Sequence, residues 1–389
     1  MYKIIHIHND IKFIDETVIF ENPLFENEVV ILGEKGDYKG KYQQTATYLP
    51  PSRSKINLLI RHCNNADMVV LHNLCFIKSY IANRLATNVK IAWRFFGHEL
   101  YRYDIVAQQS DLTKAMMNPI KFSLSGWIKR LKSHFPALRG LRNLIKLRTL
   151  YEYEFRKAMN RVNFFLSHFE EEYRHLEESW PNLPQFINLP TFDLSSLNNN
   201  CSDICLYGKE NIIIIGNSRN ALNNHFDILE KLILSKNFDK YKIFIPFSYD
   251  GEKNYVINLK EKVVNYKNIV LSDVFLPFND YQKIFKQTSA IVVNTYRQKA
   301  LGNIFLALKN GVKVYLNTKN TTYAILASKG LYVFPVDQLY NDLETGNTRL
   351  SLEAIKHNAD IMRKLADENS IVLFQRQIYQ VLNSTFPEP

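Results

Sequence analysis

The sequence has few of the features that mark membrane or secreted proteins. It contains no uncharged apolar run of about 18 residues, so no helix is expected to span a bilayer. The N-terminal stretch MYKIIHIHND has no long apolar core and no small-residue cleavage site, and it predicts a β-strand rather than a signal peptide. The four cysteines, Cys63, Cys75, Cys201 and Cys205, lack metal-site spacing, so we expect reduced thiols in a cytoplasmic protein.

Motifs for several chemistries are also missing. No Asp-x-Asp sequence occurs, which leaves a metal-diphosphate site of that type unsupported, and we expect neither a metal nor a cofactor. The HExxH, Gly-x-Ser-x-Gly, EF-hand, GxGxxG and Walker A patterns are absent as well. Because no helix-turn-helix, zinc or RNP-type signature is present, nucleic acid is not an expected partner.

Acidic residues are missing from one long segment. The net charge is +11, and the segment from Lys114 to Leu150 holds nine Lys or Arg and no Asp or Glu. Aromatic and aliphatic residues recur there at spacings of three and four, which favours basic amphipathic helices with a break at Pro136. We interpret an insertion at about 112–150 as a surface for the anionic inner membrane. A core helix with a solvated basic face is the alternative.

The order of apolar runs indicates two α/β domains. With 389 residues the chain exceeds the roughly 250–300 residues that one core supports. Short buried strands alternate with helices over residues 1–192, and the same alternation restarts cleanly over residues 212–389. Residues 193–211 are rich in Ser and Asn and are predicted to be a linker. For the last amphipathic helix, Phe374–Leu382, we consider a return to the N-terminal domain.

Two polar loops in the second half are predicted to bind a phosphorylated ligand. Gly216, Asn217, Ser218 and Arg219 follow the apolar strand Ile212–Ile215, and Asn294–Asn303 follows the strand Ala290–Val293. Ligands of open α/β sheets bind at the carboxyl ends of strands, and helix N-termini attract anions. We therefore expect a diphosphate over residues of the second loop and its helix. The diphosphate is expected over Gly302 and Asn303, Arg297 and Lys299 could neutralise its charge, and Tyr296 is a further expected donor-binding residue. An ordinary solvated loop is the alternative for either segment.

A possible catalytic base lies in the first half. His98 and Glu99 follow Gly97 at the end of a predicted strand, where they would project from the carboxyl edge of the sheet. Sugar transfer with inversion requires a base that takes the proton of the acceptor hydroxyl, and we expect Glu99, or else His98, to be that base. The alternative is an acidic residue that stabilises a helix N-terminus. Asp10, His72 and Asn73, at the ends of earlier strands, are predicted on the acceptor side.

The order of these pieces resembles a known family, the TDP-Fuc4NAc:lipid II transferases of enterobacterial common antigen synthesis. In the first half the matching residues are His72, Trp93, Gly97, Leu100, Tyr101 and Leu189-Pro190-Thr191. In the second half they are Gly216-Asn217-Ser218, Asn223, His225, Pro246, Tyr249, Tyr255, Leu276, Phe278, Tyr281, Arg297-Gln298, Gly302 and Leu316-Asn317. The chain departs from the family pattern in two places: His98-Glu99 replaces an Ala-Asp pair, and a Gly that the pattern leads one to expect near Ala300, in addition to Gly302, is absent.

The resemblance implies a GT-B fold, which is two Rossmann-like domains with a cleft between them, together with inversion and a polyprenyl-diphosphate acceptor. Through it, Pro246, Tyr249 and Asn317 join the expected donor-binding residues. We therefore expect a metal-independent, inverting glycosyltransferase that moves a sugar from a nucleotide-sugar to a lipid-linked or surface glycan. It would be cytoplasmic and peripheral to the inner membrane. A nucleotide-sugar epimerase and a non-catalytic nucleotide- or carbohydrate-binding module remain as alternatives.

Overall fold

The computed structural model describes residues 1–35, 38–104, 107–117, 149–190, 209–365 and 368–384. These residues form two compact units. Unit 1 comprises the described residues of Met1–Glu99, Phe122–Phe192 and Asp367–Pro389, and unit 2 those of Leu100–Lys121 and Asp193–Ala366. Most of the basic segment and of the expected linker, with Cys201 and Cys205, lie outside the described residues.

Unit 1 is built on a parallel sheet of seven strands in the order β3-β2-β1-β4-β5-β6-β7. The apolar runs predicted from the sequence form its central strands, where both faces are covered. The strands are β1 Tyr2–His8, β2 Phe25–Ile31, β3 Thr47–Tyr48, β4 Met68–His72, β5 Lys90–Arg94, β6 Phe164–Ser167 and β7 Gln185–Asn188.

Helices cover both faces of this sheet. They are α1 Arg53–Cys63, α2 Phe76–Ala82, α3 His98–Tyr101 (which runs from unit 1 into unit 2), α5 Tyr151–Arg161, α6 Glu170–Ser179 and α14 Glu368–Asn383. Two short 3-10 helices, Ile11–Phe13 and Asp15–Phe20, follow β1. No helix among the described residues is long and apolar enough to cross a membrane.

Unit 2 contains a second parallel sheet, with six strands in the order β10-β9-β8-β11-β12-β13. Its strands are β8 Ile212–Ile215, β9 Lys242–Pro246, β10 Ile269–Ser272, β11 Ala290–Val293, β12 Lys313–Leu316 and β13 Phe334–Pro335. Its helices are α4 Asp111–Met117, α7 His225–Ile233, α8 Lys253–Val263, α9 Phe278–Gln287, α10 Leu301–Lys309, α11 Thr321–Ser328, α12 Gln338–Thr345 and α13 Leu352–Leu365. The predicted pair of parallel α/β sheets is confirmed.

Residues near both ends of the chain share the core of unit 1. Phe374, Ile378 and Leu382 of α14 pack in one cluster with Ile4 and Met68 of the sheet. These three positions recur at intervals of four, so they lie on one face of the helix. Apolar burial of this kind stabilises by about 1.5–3 kcal/mol per large side chain.

A buried lysine holds the end of α14. Lys90, at the start of β5, is 6% exposed. Its Nζ donates to the carbonyl oxygens of Val381, of Leu382 at 3.2 Å and of Ser384 at 2.6 Å. The last carbonyls of a helix have no partner inside the helix and carry the negative end of its dipole. The ammonium group therefore caps the helix from the sheet.

We predict that Lys90→Met loosens α14, because the change removes these hydrogen bonds and leaves buried carbonyls unpaired. The expected loss is about 1.5–3 kcal/mol in the free energy of unfolding. Amide hydrogen exchange over residues 368–384 should become faster. Lys55→Met, which changes an exposed lysine of the same unit, is the control. Unchanged exchange in α14 would contradict the prediction.

Candidate functional site

The loop after β8 opens the carboxyl edge of the unit 2 sheet. Gly216 has a φ of 68° in the left-handed region, and a β-carbon there would lie 2.8 Å from His225 Nε2 and 2.9 Å from Asn223 Cγ. Glycine is therefore required for backbone conformation and for space. Ser218 belongs to this loop and is 1% exposed, and its carbonyl oxygen accepts a hydrogen bond from Asn223 Nδ2 at 2.9 Å.

Several buried polar atoms at this edge lack a hydrogen-bond partner among the described residues. They are Asn217 Oδ1, Asn223 Oδ1, His225 Nε2 and Gln298 Nε2. An unpaired buried polar group costs about 1–3 kcal/mol, so folded proteins rarely keep several together. Their position at the carboxyl ends of β8 and β11, where open α/β sheets bind ligands, indicates a polar ligand.

The loop after β11 leads into α10 through a strained residue. Ala300 precedes the helix with a φ of 62° and a ψ of 27°, a left-handed conformation that glycine adopts more readily. This is the position near which the resemblance leads one to expect a glycine. Beyond it, a β-carbon on Gly302 would meet nothing within 4 Å, so the first turn of α10 faces open space. Asn303 donates to Tyr281 Oη at 2.9 Å.

The two cations of this loop have different surroundings. Arg297 is buried, and its Nε donates to Gln108 Oε1 at 2.9 Å while Nη1 donates to the Gln298 carbonyl at 3.1 Å. Its guanidinium also lies over the ring of Tyr101, 5.3 Å from the centroid. Half-buried Lys299, in contrast, makes no hydrogen bond or ion pair with any described residue. Burial, and then the charge of Arg297, lower the pKa of Lys299 to about 8. Of the two cations, Lys299 is therefore the one without a hydrogen-bonded or ion-paired partner among the described residues, although the charge of Asp250 acts on it favourably.

Residues 107–117 from the first half of the chain form part of unit 2. Ser110 N donates to Asn224 Oδ1 at 2.9 Å, and Ser110 Oγ donates to Asp227 at 2.6 Å. Asn224 Nδ2 in turn reaches the carbonyl of Asn294 at 3.0 Å. Leu112, Met116 and Met117 pack against the unit 2 core. The segment thus makes hydrogen bonds both to Asn224, which precedes α7, and to Arg297 in the loop after β11.

The other predicted donor-side residues surround these loops. Arg219 donates from Nε to the carbonyl of Asp250, and Asn317 donates to Asn294 Oδ1 at 2.7 Å. Tyr296 is covered by Lys319, whose Nζ lies 4.4 Å from its ring centroid. Pro246 ends β9, and half-buried Tyr249 lies just after it. The structure thus brings the predicted residues of unit 2 to one sheet edge, most of them already hydrogen-bonded to protein.

In unit 1, His98 and Glu99 differ sharply in exposure. Glu99 is fully buried, and its Oε1 accepts from Trp93 Nε1 at 3.1 Å and from Leu74 N at 3.2 Å. Its Oε2 lies 3.3 Å from Nδ1 of His98, within ion-pair distance. The side chain of His98 is 53% exposed. Only the imidazole of this pair can reach a molecule in solution.

The predicted acceptor-side residues are largely buried. His72 stacks on His8 with 3.6 Å between ring centroids, and burial holds the pKa of both imidazoles well below the ordinary value. Asn73, with a φ of 69°, donates to Asn9 Oδ1 at 2.8 Å. Asp10 caps a 3-10 helix by accepting from Lys12 N at 3.1 Å. The side chains predicted to lie on the acceptor side are therefore already engaged in contacts with other residues of unit 1.

Two residues that contact the predicted site residues or their neighbours were not predicted from the sequence. Lys78 is fully buried, and its Nζ donates to Asn9 Oδ1 at 2.7 Å and to the carbonyl of His72. Burial lowers the pKa of Lys78 to about 8. The feature of the sequence that could have indicated Lys78 is the presence of a lysine among the apolar residues of α2. Gln108, the partner of Arg297, carried no local signal. No group of three or more His, Cys, Asp or Glu residues arranged for a metal occurs in the described ranges.

Comparison with known proteins adds a family and a fold. Residues 147–376 match the family model described as 4-alpha-L-fucosyltransferase glycosyl transferase group 56. No curated protein matches the chain in sequence. HepE from Anabaena, in complex with UDP-glucose, is 10% identical with a TM-score of 0.65, over 99% of this chain and 100% of that chain.

Two further solved structures have the same architecture. Sucrose-phosphate synthase from Thermosynechococcus elongatus is 10% identical with a TM-score of 0.61, over 98% of this chain and 99% of its own. WaaG, a glycosyltransferase involved in lipopolysaccharide biosynthesis, is 12% identical with a TM-score of 0.57, over 98% and 100%. At these identities the likeness shows the fold, which is the GT-B glycosyltransferase fold predicted from the sequence.

We predict opposite effects for alanine at two glycines of the site. Gly302→Ala places a methyl group in open space on a helix, so the protein should gain up to about 1 kcal/mol of stability. If a diphosphate lies over this turn, the affinity for nucleoside diphosphates should fall at least tenfold. Gly216→Ala should instead destabilise the fold, because its β-carbon meets His225 and Asn223. Thermal unfolding with and without UDP or dTDP measures both effects; full affinity in Gly302→Ala would place the ligand elsewhere.

We also predict that ligand affinity depends on the charge of Lys299. Anion binding favours the ammonium form, so affinity should be constant below about pH 8 and fall as Lys299 loses its proton at higher pH. Lys299→Met should bind more weakly at neutral pH and show no such decline. Lys299→Arg keeps its charge and is the control. Calorimetric titration with UDP and dTDP between about pH 7 and pH 10 tests this, and an identical decline in Lys299→Met would contradict it.

Proposed function

The chain belongs to the family of 4-alpha-L-fucosyltransferases, glycosyl transferase group 56, and is therefore a glycosyltransferase; on this premise we propose that it transfers a fucose-type 6-deoxyhexose from a nucleoside diphosphate to a lipid-linked glycan. The sugar class follows the family description, and 4-acetamido-4,6-dideoxygalactose is the specific sugar that the sequence resemblance implies. The observation that carries the proposal is the set of unpaired buried polar atoms beside Lys299 in unit 2.

The donor is proposed to bind at the carboxyl edge of the unit 2 sheet. Its diphosphate would lie over Gly302, in the open space before the first turn of α10, with Lys299 as counter-charge. Backbone N–H groups at a helix N-terminus attract such an anion. HepE was solved with UDP-glucose, which makes a nucleotide-sugar a reasonable donor here.

The reaction is proposed to be a single displacement at the anomeric carbon. The oxygen of the acceptor hydroxyl forms a bond to that carbon while the bond from the carbon to the phosphate oxygen breaks. The hydroxyl proton passes to a base, and the nucleoside diphosphate leaves with the electron pair. One displacement inverts the configuration. Lys299 and the N–H groups of α10 would stabilise the leaving group electrostatically, without a metal.

We assign the base to His98 and a positioning role to Glu99. The burial of Glu99 and its two accepted hydrogen bonds prevent it from reaching an acceptor, whereas His98 is half exposed. With Nδ1 facing the Glu99 carboxylate, the imidazole presents Nε2 to the acceptor hydroxyl. A carboxylate behind the ring also stabilises the imidazolium that forms when the proton is taken.

The proposal for the acceptor is based on the amino-acid sequence. The basic, acid-free segment from Lys114 to Leu150, most of which lies outside the described residues, would hold the protein at an anionic membrane surface. A polyprenyl-diphosphate glycan in that membrane would then be the acceptor. The proposed location is the cytoplasmic face of the inner membrane.

We predict that His98→Gln lowers kcat by about 10²–10⁴-fold, the usual contribution of a general base, with little change in donor KM. Glu99→Gln keeps acceptors for Trp93 and Leu74 but loses the charge behind His98. It should lower kcat by roughly tenfold and leave donor affinity intact. The transfer of radiolabelled sugar from nucleoside diphosphate sugars to bacterial lipid extracts measures kcat and donor KM for both variants.

His175→Gln is the matched control, because His175 is an exposed histidine of unit 1 on α6. Full transfer by His98→Gln would remove His98 as the base. A labelled free nucleotide-sugar of altered configuration, without labelled lipid, would identify an epimerase instead. Nucleotide binding without any labelled product would leave only a binding module.

A further inference from the structure

His225 is a buried histidine with one unpaired ring nitrogen. It is the first residue of α7 and fully buried, and it follows Asn224, which has a left-handed backbone. Its Nε2 is buried and makes no hydrogen bond to any described residue. The unpaired nitrogen faces the position that a β-carbon of Gly216 would occupy, at 2.8 Å. The side chain therefore points at the loop that opens the donor edge.

Tyr255 decides which nitrogen of His225 carries the proton. The Tyr255 hydroxyl oxygen lies 3.0 Å from the backbone nitrogen of His225 and 3.0 Å from its Nδ1. The Tyr255 oxygen accepts from the backbone N–H of His225 and also interacts with the Thr113 side chain, and we assign the hydroxyl proton of Tyr255 to the contact with Nδ1. Nδ1 is then an acceptor, and the proton of a neutral imidazole lies on Nε2. Nε2 thus presents an N–H donor above Gly216.

The imidazole stays uncharged in this position. Burial, and then the nearby Lys299, lower the pKa of His225 to about 3. Asn223 Oδ1 faces the same space and requires a donor, which the Lys299 ammonium or a ligand hydroxyl can supply. The site therefore offers one neutral donor, one acceptor and one separate cation. One anionic oxygen can accept a hydrogen bond from the Nε2–H of His225 and pair with the charge of Lys299 at the same time.

We propose that the Nε2–H of His225 donates to an oxygen of the donor diphosphate, with Tyr255 as the positioning residue that holds the imidazole in this tautomer. The inference rests on the proposed function, because it places the diphosphate at the edge of the unit 2 sheet. As charge develops on the leaving group, a donor that is already oriented strengthens its hydrogen bond without reorganisation. His225 is then a catalytic residue that transfers no proton.

Variants separate this role from packing. His225→Phe should lower kcat/KM for the donor by about 10²–10³-fold, as the loss of one preorganised donor does in other enzymes. His225→Gln places an amide N–H near the position of Nε2 and should recover most of that loss. Tyr255→Phe keeps the aromatic ring but no longer fixes the nitrogen of His225 that carries the proton. We therefore expect a smaller loss than in His225→Phe, in kcat more than in donor KM. His357→Gln and Tyr340→Phe, outside the site in unit 2, are the controls.

The pH dependence distinguishes a neutral donor from a charged one. Donor KM of the wild type should be flat between about pH 5.5 and pH 7.5, because His225 does not titrate there and Lys299 remains charged. A donor KM that rises with pH across this window in the wild type, but not in His225→Gln, would show an imidazolium and overturn the assignment.

Nucleotide binding keeps the two hypotheses apart. Thermal shifts of the full chain with UDP, GDP, dTDP and CDP come first. If none stabilises the wild type, the proposed donor site itself fails. Suppose that one nucleotide does stabilise the wild type. This inference then fails alone if His225→Phe binds the nucleotide and turns over normally, and if folded His225→Gln and Tyr255→Phe also retain wild-type kcat and KM. Should His225→Phe not fold, a kcat loss in Tyr255→Phe at unchanged thermal stability supports the inference, and unchanged kcat overturns it.

Discussion

The hydrogen bond between Arg297 and Gln108 fixes the loop that follows β11, on which the proposed donor site of unit 2 depends. It joins residues 189 positions apart, so it ties residues 107–117 to the turn between β11 and α10. A buried guanidinium is stable only when its donors are paired, and Gln108, the Gln298 carbonyl and the Tyr101 ring supply that pairing. With Arg297 held in this way, the neighbouring Lys299 is the cation of this loop that makes no hydrogen bond or ion pair with a described residue, and it is the one that we propose to bind the diphosphate.

In both units, the pairing of buried polar groups distinguishes side chains that are held inside the protein from those that we propose to contact a substrate. In unit 1, Glu99 is hydrogen-bonded inside the protein, and its partner His98 is exposed. In unit 2, His225 is held at Nδ1 by Tyr255, and its Nε2 is left unpaired. Tyr255 contacts Nδ1 of His225 within hydrogen-bond distance, whereas Glu99 lies within ion-pair distance of His98 without a hydrogen bond to it. Such second-layer support gives a site the rigidity that electrostatic stabilisation needs.

The placement of the two polar loops at the carboxyl edge of the unit 2 sheet was predictable from the sequence because the pattern there is local, whereas their role in donor binding stays a prediction. Gly216 and Gly302 follow apolar strands at the offsets where parallel sheets place their ligand loops, and the structure puts both at that edge. Arg297 and Lys299 were both suited to a phosphate by charge, and only their surroundings distinguish them. The choice between His98 and Glu99 was open for the same reason, since adjacent residues at a strand end differ in burial only after folding.

The sequence alone determined two parallel α/β sheets, because buried runs such as Ile212–Ile215 and Met68–His72 have the length and composition of covered strands. It also determined which loops carry polar groups at the carboxyl ends of those strands. The tertiary structure decided which side chains are already paired. Gln108 with Arg297, Tyr255 with His225 and Lys90 with the end of α14 are contacts between distant positions. Local periodicity contains no information about such partners, and their burial decides what remains available to bind a ligand.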